Sequence, residues 1–440
     1  MSTLTLHHPF VISENPERGR FAKSPCSLSI GSIVSSTSAF CSQVSSHLLS
    51  KYCSYCFVSF ADSSLTPKKC TGGCTSTYYC SRDCQKLDFA THKHECKQKG
   101  VKALSDALSL LRTSDPSQFP IDDFLLLRKT YFKLCKESGT KPPSAPPLGV
   151  LDKLCVGATN EDEILIALCT TTSILGLSVA SSSDLSTHPL TSFFTSLLAK
   201  FRCNNFGITN SLQSVVGAGV FEHGAILNHS CAPNCVLHYE RSPTSCQVQQ
   251  TIVVIREVEE GEELCHSYCE LAQPTAERRD HLQHTYGFMC RCPRCLDVDL
   301  DASLSEIQPD QPLELKEELT TTMALYDEAT MRVSDDPDEE HRLGSKCCLL
   351  MREVYGKLNL TLYKMESECL ATSLMSGDLD SAIDHCTASC TFLASVMPKY
   401  HPLTILQFVT LAELSVEGEM WEEAKMAYEI VKSNGSNDKT

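Results

Sequence analysis

The chain has 440 residues, 42% of them apolar, 26 cysteines and a formal net charge of −16. That length accommodates two to four domains with sizeable cores, and the acidity disfavours direct nucleic-acid binding through phosphate contacts while suiting basic, lysine-rich partners. The chain lacks a run of eighteen apolar residues, so no membrane span is expected. The first residues lack the basic and apolar regions of a secretory signal, so an intracellular place is expected, cytoplasmic or nuclear. Thiols stay reduced there, and clustered cysteines point to metal.

Residues 1–50 read as short strands and loops. Phe10-Val11-Ile12 is a strand candidate, Glu17-Arg18-Gly19-Arg20-Phe21-Ala22 follows, and Gly31-Ser32-Ile33-Val34 reads as a turn entering a second strand. Cys53, Cys56, Cys70, Cys74, Cys80, Cys84, His92 and Cys96 then form the pattern C-x2-C-x13-C-x3-C-x5-C-x3-C-x7-H-x3-C. Close pairs offer two ligands to one tetrahedral zinc, so four pairs make two sites. Spacing leaves open which pairs share an ion. A helix from Cys84 to Cys96 sets His92 and Cys96 one turn apart on one face. His94, two residues from Cys96, would face away.

Residues 98–137 have helical periodicity through Leu104, Leu108 and Leu111, then Phe124, Leu127, Tyr131 and Leu134. Gly139 to Gly149 is a stiff, proline-rich linker. Helical periodicity resumes over 160–200 through Ile164, Leu168, Leu175 and Leu197. From 201 to 275 short apolar runs such as Val215 to Val220 and Val248 to Ile255 alternate with turns, which reads as β structure.

Within that region Asn228-His229-Ser230-Cys231-Ala232-Pro233-Asn234-Cys235 is a polar turn after Ile226-Leu227. Gly261-Glu262-Glu263-Leu264 precedes His266-Ser267-Tyr268, and Tyr286-Gly287-Phe288-Met289-Cys290-Arg291-Cys292-Pro293-Arg294-Cys295 follows. Cys290, Cys292 and Cys295 need a fourth zinc ligand, and Cys231 is the long-range candidate. His229 is an alternative, but four sulfurs already complete a tetrahedron. For His266 a tuning role beside Tyr268 and a plain surface position fit equally well.

From about 315 to 431 the chain is helical. Gly377-Asp378-Leu379-Asp380-Ser381-Ala382 resembles Gly418-Glu419-Met420-Trp421-Glu422-Glu423-Ala424, which reads as degenerate helical-hairpin repeats of the tetratricopeptide kind. Cys235, Cys347, Cys348, Cys386 and Cys390 read as small buried hydrophobes. Trp421, Ala424, Tyr428 and Val431 read as a packing stripe.

The tract Tyr79-Cys80-Ser81-Arg82-Asp83-Cys84-Gln85, with His92 and Cys96, resembles the MYND zinc finger. That resemblance implies interleaved, closed structural sites: Cys53 and Cys56 with Cys80 and Cys84, Cys70 and Cys74 with His92 and Cys96. Cys70-x3-Cys74 departs from the usual spacing of two, and Gly72 and Gly73 can bend the longer loop. NHSC-x-PN from Asn228, GEEL-x-x-SY from Gly261 and Y-x-F-x-CxCxxC from Tyr286 resemble the second half of a SET domain and its post-SET zinc.

With the helical repeats, the chain is similar over about residues 10–430 to the SMYD family of protein-lysine methyltransferases. The implied architecture is α+β and multidomain, a β-rich SET domain split by the finger. Its parts would be 1–50 (N-terminal SET), 51–97 (finger), 98–200 (helical insert or linker), 201–275 (C-terminal SET), 276–298 (post-SET) and 315–432 (all-helical, tetratricopeptide-like). The implied cofactors are S-adenosylmethionine and three zinc ions, and the implied partner is a lysine-containing protein, bound by a monomer. Eleven ligand thiolates outweigh three divalent ions, so the zinc-loaded chain is more acidic still.

Arg18, Gly19, Asn204 (within Arg202-Cys203-Asn204-Asn205-Phe206), Asn228 and His229 carry over as cofactor contacts. Tyr268 matches the tyrosine at the methyl-transfer channel, and Tyr286 and Phe288 match its aromatic lining, with Tyr268 and Phe288 also on the cofactor side. One departure stands out. The family's Gly-x-Gly segment here reads Glu17-Arg18-Gly19, so a side chain stands where backbone would approach the cofactor. MYND fingers also resemble modules that bind proline-containing peptides, which implies an alternative: a binding scaffold of little or no catalysis. A DNA-binding finger using Lys93, Lys97 and Lys99 is disfavoured by the overall acidity.

Overall fold

The computed structural model describes residues 9–16, 18–61, 65–74, 77–97, 120–157, 161–176, 185–331 and 337–435. Glu17, Leu104, Leu108 and Leu111 lie outside them, as do the side chains of His94 and Val431.

Of the four N-terminal strands, two pair with each other and two with strands far along the chain. β1 (Val11–Asn15) and β2 (Gly19–Lys23) form a hairpin in the register Asn15↔Gly19. Gly19 enters β2 at φ +64, a conformation glycine adopts without strain. β3 (Ile33–Ser38) pairs with β11 (Val248–Val254), which pairs with β10 (Cys235–Arg241). β4 (Cys41–Val44) and β7 (Asn205–Thr209) flank β8 (Val215–Val220), all antiparallel. A Cβ at Gly217 would collide with the carbonyl of Gln43, so glycine is what lets β8 lie against β4. Phe10, Ala22 and Val34 share one core with Leu227, Ile252 and Val254, and thereby join the two halves.

The intervening residues build the finger and a helical layer. β5 (Lys68–Lys69) pairs with β6 (Tyr78–Tyr79), and α1 (Arg82–Lys97) follows. α2 (Ile121–Ser138), α3 (Glu161–Leu175) and α4 (Pro189–Asn204) pack around Phe124, Leu127, Tyr131 and Leu134, the positions that the periodicity marked. α4 runs four residues into the stretch expected to be β. Its last residue, Asn204, closes the final turn by donating its amide to the carbonyls of Lys200 at 2.6 Å and Cys155 at 2.9 Å.

β9 (Asn228–His229) and β12 (Cys265–His266) are a short parallel pair. α5 (Thr275–Tyr286), α6 (Pro293–Leu296) and α7 (Val298–Ser303) lead into the C-terminal helices. These are α8 (Leu313–Met331), α9 (Pro337–Val354), α10 (Leu360–Ser376), α11 (Leu379–Val396), α12 (Pro402–Glu417) and α13 (Trp421–Gly435), each packed on the next. The architecture is therefore α+β, with a β-rich centre and a helical C-terminal part. Among the described residues no helix is long and apolar enough to cross a membrane.

The repeated tracts open α11 and α13. Asp378 caps α11 by accepting from the Ser381 amide at 3.1 Å. The expected stripe on α13 needs correction: Trp421 and Tyr428 are exposed, and the buried face is Ala424 and Ala427. Only small side chains let α13 approach α12, so the aromatic residues turn outward.

Candidate active site and metal centres

The structure sorts the eight finger ligands into two interleaved groups, Cys53, Cys56, Cys80 and Cys84, and Cys70, Cys74, His92 and Cys96. Sulfurs lie 3.6 Å apart for Cys56–Cys80, 3.5 Å for Cys80–Cys84 and 3.7 Å for Cys70–Cys96. A tetrahedral zinc with arms of about 2.3 Å sets its sulfurs about 3.8 Å apart, whereas a disulfide needs about 2.05 Å. The geometry fits zinc and excludes cross-links. Hydrogen bonds from Cys56 and Cys84 lower the pKa of the Cys53 thiol, toward the thiolate form that metals bind. Gly72 answers the unusual Cys70-x3-Cys74 spacing: a Cβ there would sit 2.5 Å from Cys96 Sγ. The buried Tyr79 hydroxyl donates to Asp88 at 2.8 Å, and Lys129 of α2 lies 3.7 Å from the same carboxylate. The finger is thus tied to the helical layer.

A third group gathers Cys231, Cys290, Cys292 and Cys295. Cys231 Sγ lies 3.5 Å from Cys295 and 4.0 Å from Cys290. Arg278 of α5, fully buried, donates to Cys231 Sγ at 3.4 Å and to Cys295 Sγ at 3.6 Å. Four thiolates around a divalent ion leave a net charge of minus two, and the guanidinium offsets part of it. Arg278 escaped the sequence reading, because nothing in a polar helix marks which arginine is buried. Cys269 also escaped it, and with His229 and Cys231 forms an overlapping triple. His229 Nε2 stands 3.1 Å from Cys231 Sγ, while its Nδ1 accepts from the Tyr268 amide at 2.9 Å.

Cys348, Cys369 and His385 also cluster, between α9, α10 and α11. Glu366 is bound by both Arg352, at 2.7 and 2.9 Å, and His385 Nδ1, at 2.5 Å. With that carboxylate engaged, the group has three ligands and no fourth among the described residues, which suits packing better than a structural zinc.

The polar turn borders a cavity of about 630 Å³, in the range of small-molecule sites. Arg18, Asn228, His229, Glu263, Tyr268 and Phe288 line it. The β9–β12 pairing sets Asn228 beside Cys265 and His229 beside His266. Asn228 Nδ2 donates to Glu263 Oε1 at 3.0 Å, and the Arg18 guanidinium pairs with the same carboxylate. A Cβ at Gly19 meets nothing within 4 Å, so the backbone there borders open space. Glu263 was visible only as part of a turn motif. Its role as the acid that gathers Arg18 and Asn228 is a product of tertiary structure.

Tyr268 and Tyr286 line this cavity and also a second one of about 310 Å³. Their ring centroids are 4.7 Å apart. The Tyr268 hydroxyl donates to the Leu227 carbonyl at 2.6 Å. Burial, with Tyr286 alongside, pushes the Tyr268 hydroxyl well above its usual pKa, and burial pushes Tyr286 up to about 12. Both stay protonated at neutral pH. Phe288 lies 6.4 Å from Tyr286 and 6.0 Å from His229. Phe206, Tyr239, His266 and, from the helical C-terminal part, His401 and Pro402 complete the smaller cavity.

Two expectations change here. His266 is buried, not at the surface, and burial followed by His229 lowers its pKa to about 3. Asn204 is absent from the residues lining either cavity, its amide being engaged in the α4 terminus. Its neighbour Asn205 lines the smaller cavity instead.

Known proteins agree with this layout. The MYND finger model matches residues 53–96 and the SET domain model residues 79–269. N-lysine methyltransferase SMYD2 of Homo sapiens is 30% identical over 302 residues, 67% of this chain and 62% of its own length. SMYD2-A of Danio rerio is 25% identical over 84% of this chain and 80% of its own. A SET domain of LSMT solved with lysine and AdoHcy is 14% identical, covers 98% of this chain and 88% of its own, and has a TM-score of 0.29, too low to add to the argument. The chain spans 62% of the length of the human, pig and cattle relatives. A MYND finger and a SET domain on one chain, with relatives named SMYD2, make this chain a member of the SMYD family of SET- and MYND-domain proteins.

Proposed function

We propose that the chain is an S-adenosylmethionine-dependent protein-lysine N-methyltransferase carrying three structural zinc ions. The observation that carries this reading is the shared wall of Tyr268 and Tyr286 between the larger cavity, which Arg18, Asn228 and His229 line, and the smaller one. The relatives' name, N-lysine methyltransferase, supports it. When bound, the cofactor supplies an electrophilic methyl group on a sulfonium sulfur.

Arg18, Asn228 and His229 would hold that cofactor in the larger cavity, with Phe288 against it; Gly19 follows Arg18 in the chain but is not among the residues that line the cavity. The acceptor lysine would enter through the smaller one. Lysine has an ordinary pKa of about 10.4 and must lose its proton to solvent before it attacks. Partial desolvation between Tyr268 and Tyr286 favours the neutral amine. Tyr286, on the wall of the smaller cavity, flanks the lysine stem, and Tyr268, anchored on the Leu227 carbonyl, orients the reacting nitrogen. Tyr268 is not the base, since its hydroxyl stays protonated. His401 and Pro402 would make acceptor choice partly a property of the helical tail.

Labelled cofactor tests this. Wild type should bind S-adenosylmethionine, and Tyr268→Phe should cut methylation about tenfold or more while binding changes little. A protein with three zincs that binds no cofactor at millimolar concentration would end the proposal. The glutamate at position 17 favours the second reading, a scaffold whose finger binds proline-containing peptides. The same binding measurement separates the two.

A further inference from the structure

His266 is not used by the mechanism above, yet it sits beside it. It pairs with His229 across β9 and β12, and its ring lies 4.8 Å from Tyr268 and 5.7 Å from Phe206. Its Nδ1 faces the Ser267 carbonyl at 2.9 Å. A carbonyl only accepts, so Nδ1 carries the proton and Nε2 presents a lone pair. That Nε2 is buried and has no hydrogen-bond partner among the described residues. Asn205 Oδ1 is buried and unpartnered as well, and both residues line the smaller cavity.

Buried polar atoms are nearly always satisfied, so two orphaned acceptors on one cavity call for donors from outside the chain. Phe206, Tyr239, Tyr268 and Tyr286 bring four aromatic rings to the same cavity, Thr209, Gln213 and Ser267 add neutral polar groups, and there is no carboxylate and no Lys or Arg side chain among the lining residues. Acceptors beside aromatic rings suit a group rich in N–H donors and repel an anion. The ε-nitrogen of lysine offers three such donors as it arrives protonated and two once it has become the neutral amine.

We propose that His266 Nε2, seconded by Asn205 Oδ1, accepts hydrogen bonds from the ε-nitrogen of the acceptor lysine and positions it beside Tyr268. The inference rests on the methyltransferase reading and names its substrate-side recognition. His266 is a positioning residue here: at a pKa of about 3 it receives a hydrogen bond without taking the proton. The lysine can therefore be held without being trapped as an ion pair.

The test is steady-state methylation of an arrayed library of lysine-centred peptides with labelled S-adenosylmethionine, for wild type, His266→Phe and His266→Gln. Glutamine places an amide near the position of Nε2 and restores an acceptor. His266→Phe should raise the peptide KM about tenfold, with the cofactor KM and zinc content unchanged, and His266→Gln should recover most of the loss. Two outcomes would overturn the inference with the enzyme reading intact: a peptide KM for His266→Phe within about twofold of wild type, or equal damage in both variants with cofactor affinity lost alongside. A wild type that binds no cofactor and methylates nothing in the library removes the enzyme reading, and this inference with it.

Discussion

The finger at 53–96 and the block from Asn228 to Cys295 both gather cysteines around a metal-sized gap, but they are built from different distances along the chain. All eight finger ligands come from one short segment, and α1 alone carries three of them. The second block is assembled from afar. Arg18 meets Glu263, Cys231 meets Cys295, and Leu227 receives the Tyr268 hydroxyl. A locally assembled site depends on its own ligands, whereas a non-local one depends on the sheets that hold its pieces together. Damage should therefore stay contained in the finger and spread in the second block.

Cys231→Ser should show the largest spread. It removes a shared ligand beside the polar turn, so zinc content should fall by one ion and methylation by about a hundredfold. Cys80→Ser should cost zinc from the finger while cofactor binding survives. Equal loss of cofactor binding in the two variants would erase the contrast. Arg278→Met comes next: leaving the thiolate cluster without its buried counter-charge should destabilise the protein by about 3–5 kcal/mol in chemical unfolding.

Gly19→Ala should cost about 1–2 kcal/mol, from the left-handed backbone alone, since its Cβ meets no atom. A much larger loss would mean that the hairpin is packed more tightly than this geometry indicates. The smallest effect concerns acid stability. Unfolded chain takes up a proton at His266 near 6.5, folded chain only near 3. The contribution is therefore full above pH 6.5 and declines as pH falls through that window. At pH 5.5 it amounts to about 1.4 kcal/mol lost. His266→Gln should lose that much less stability between pH 7 and 5.5 than wild type.

The same contrast explains what was legible in the sequence. Finger spacing is a local property, so the ligand set could be read directly, and four of the buried positions of α2, Phe124, Leu127, Tyr131 and Leu134, followed from periodicity. Tyr268, Tyr286 and Phe288 were found through their tracts, and the structure sets them side by side. Burial, however, is decided by distant partners. That is why Arg278 and Cys269 passed unnoticed, why Glu263 was legible as a turn residue but not as the partner of Arg18 and Asn228, why His266 fitted the surface as well as the site, and why the outward turn of Trp421 and Tyr428 was missed. Asn204 shows the same limit: the resemblance of its tract, Arg202 to Phe206, implied a cofactor contact, but its amide is engaged at the helix terminus.

The most direct test of the central claim is transfer of labelled methyl from S-adenosylmethionine to lysine-centred peptides by protein shown to hold three zincs. Wild type should incorporate label, and Tyr268→Phe should lose about tenfold or more of it with cofactor binding retained. Absence of cofactor binding by the fully zinc-loaded wild type would contradict that claim.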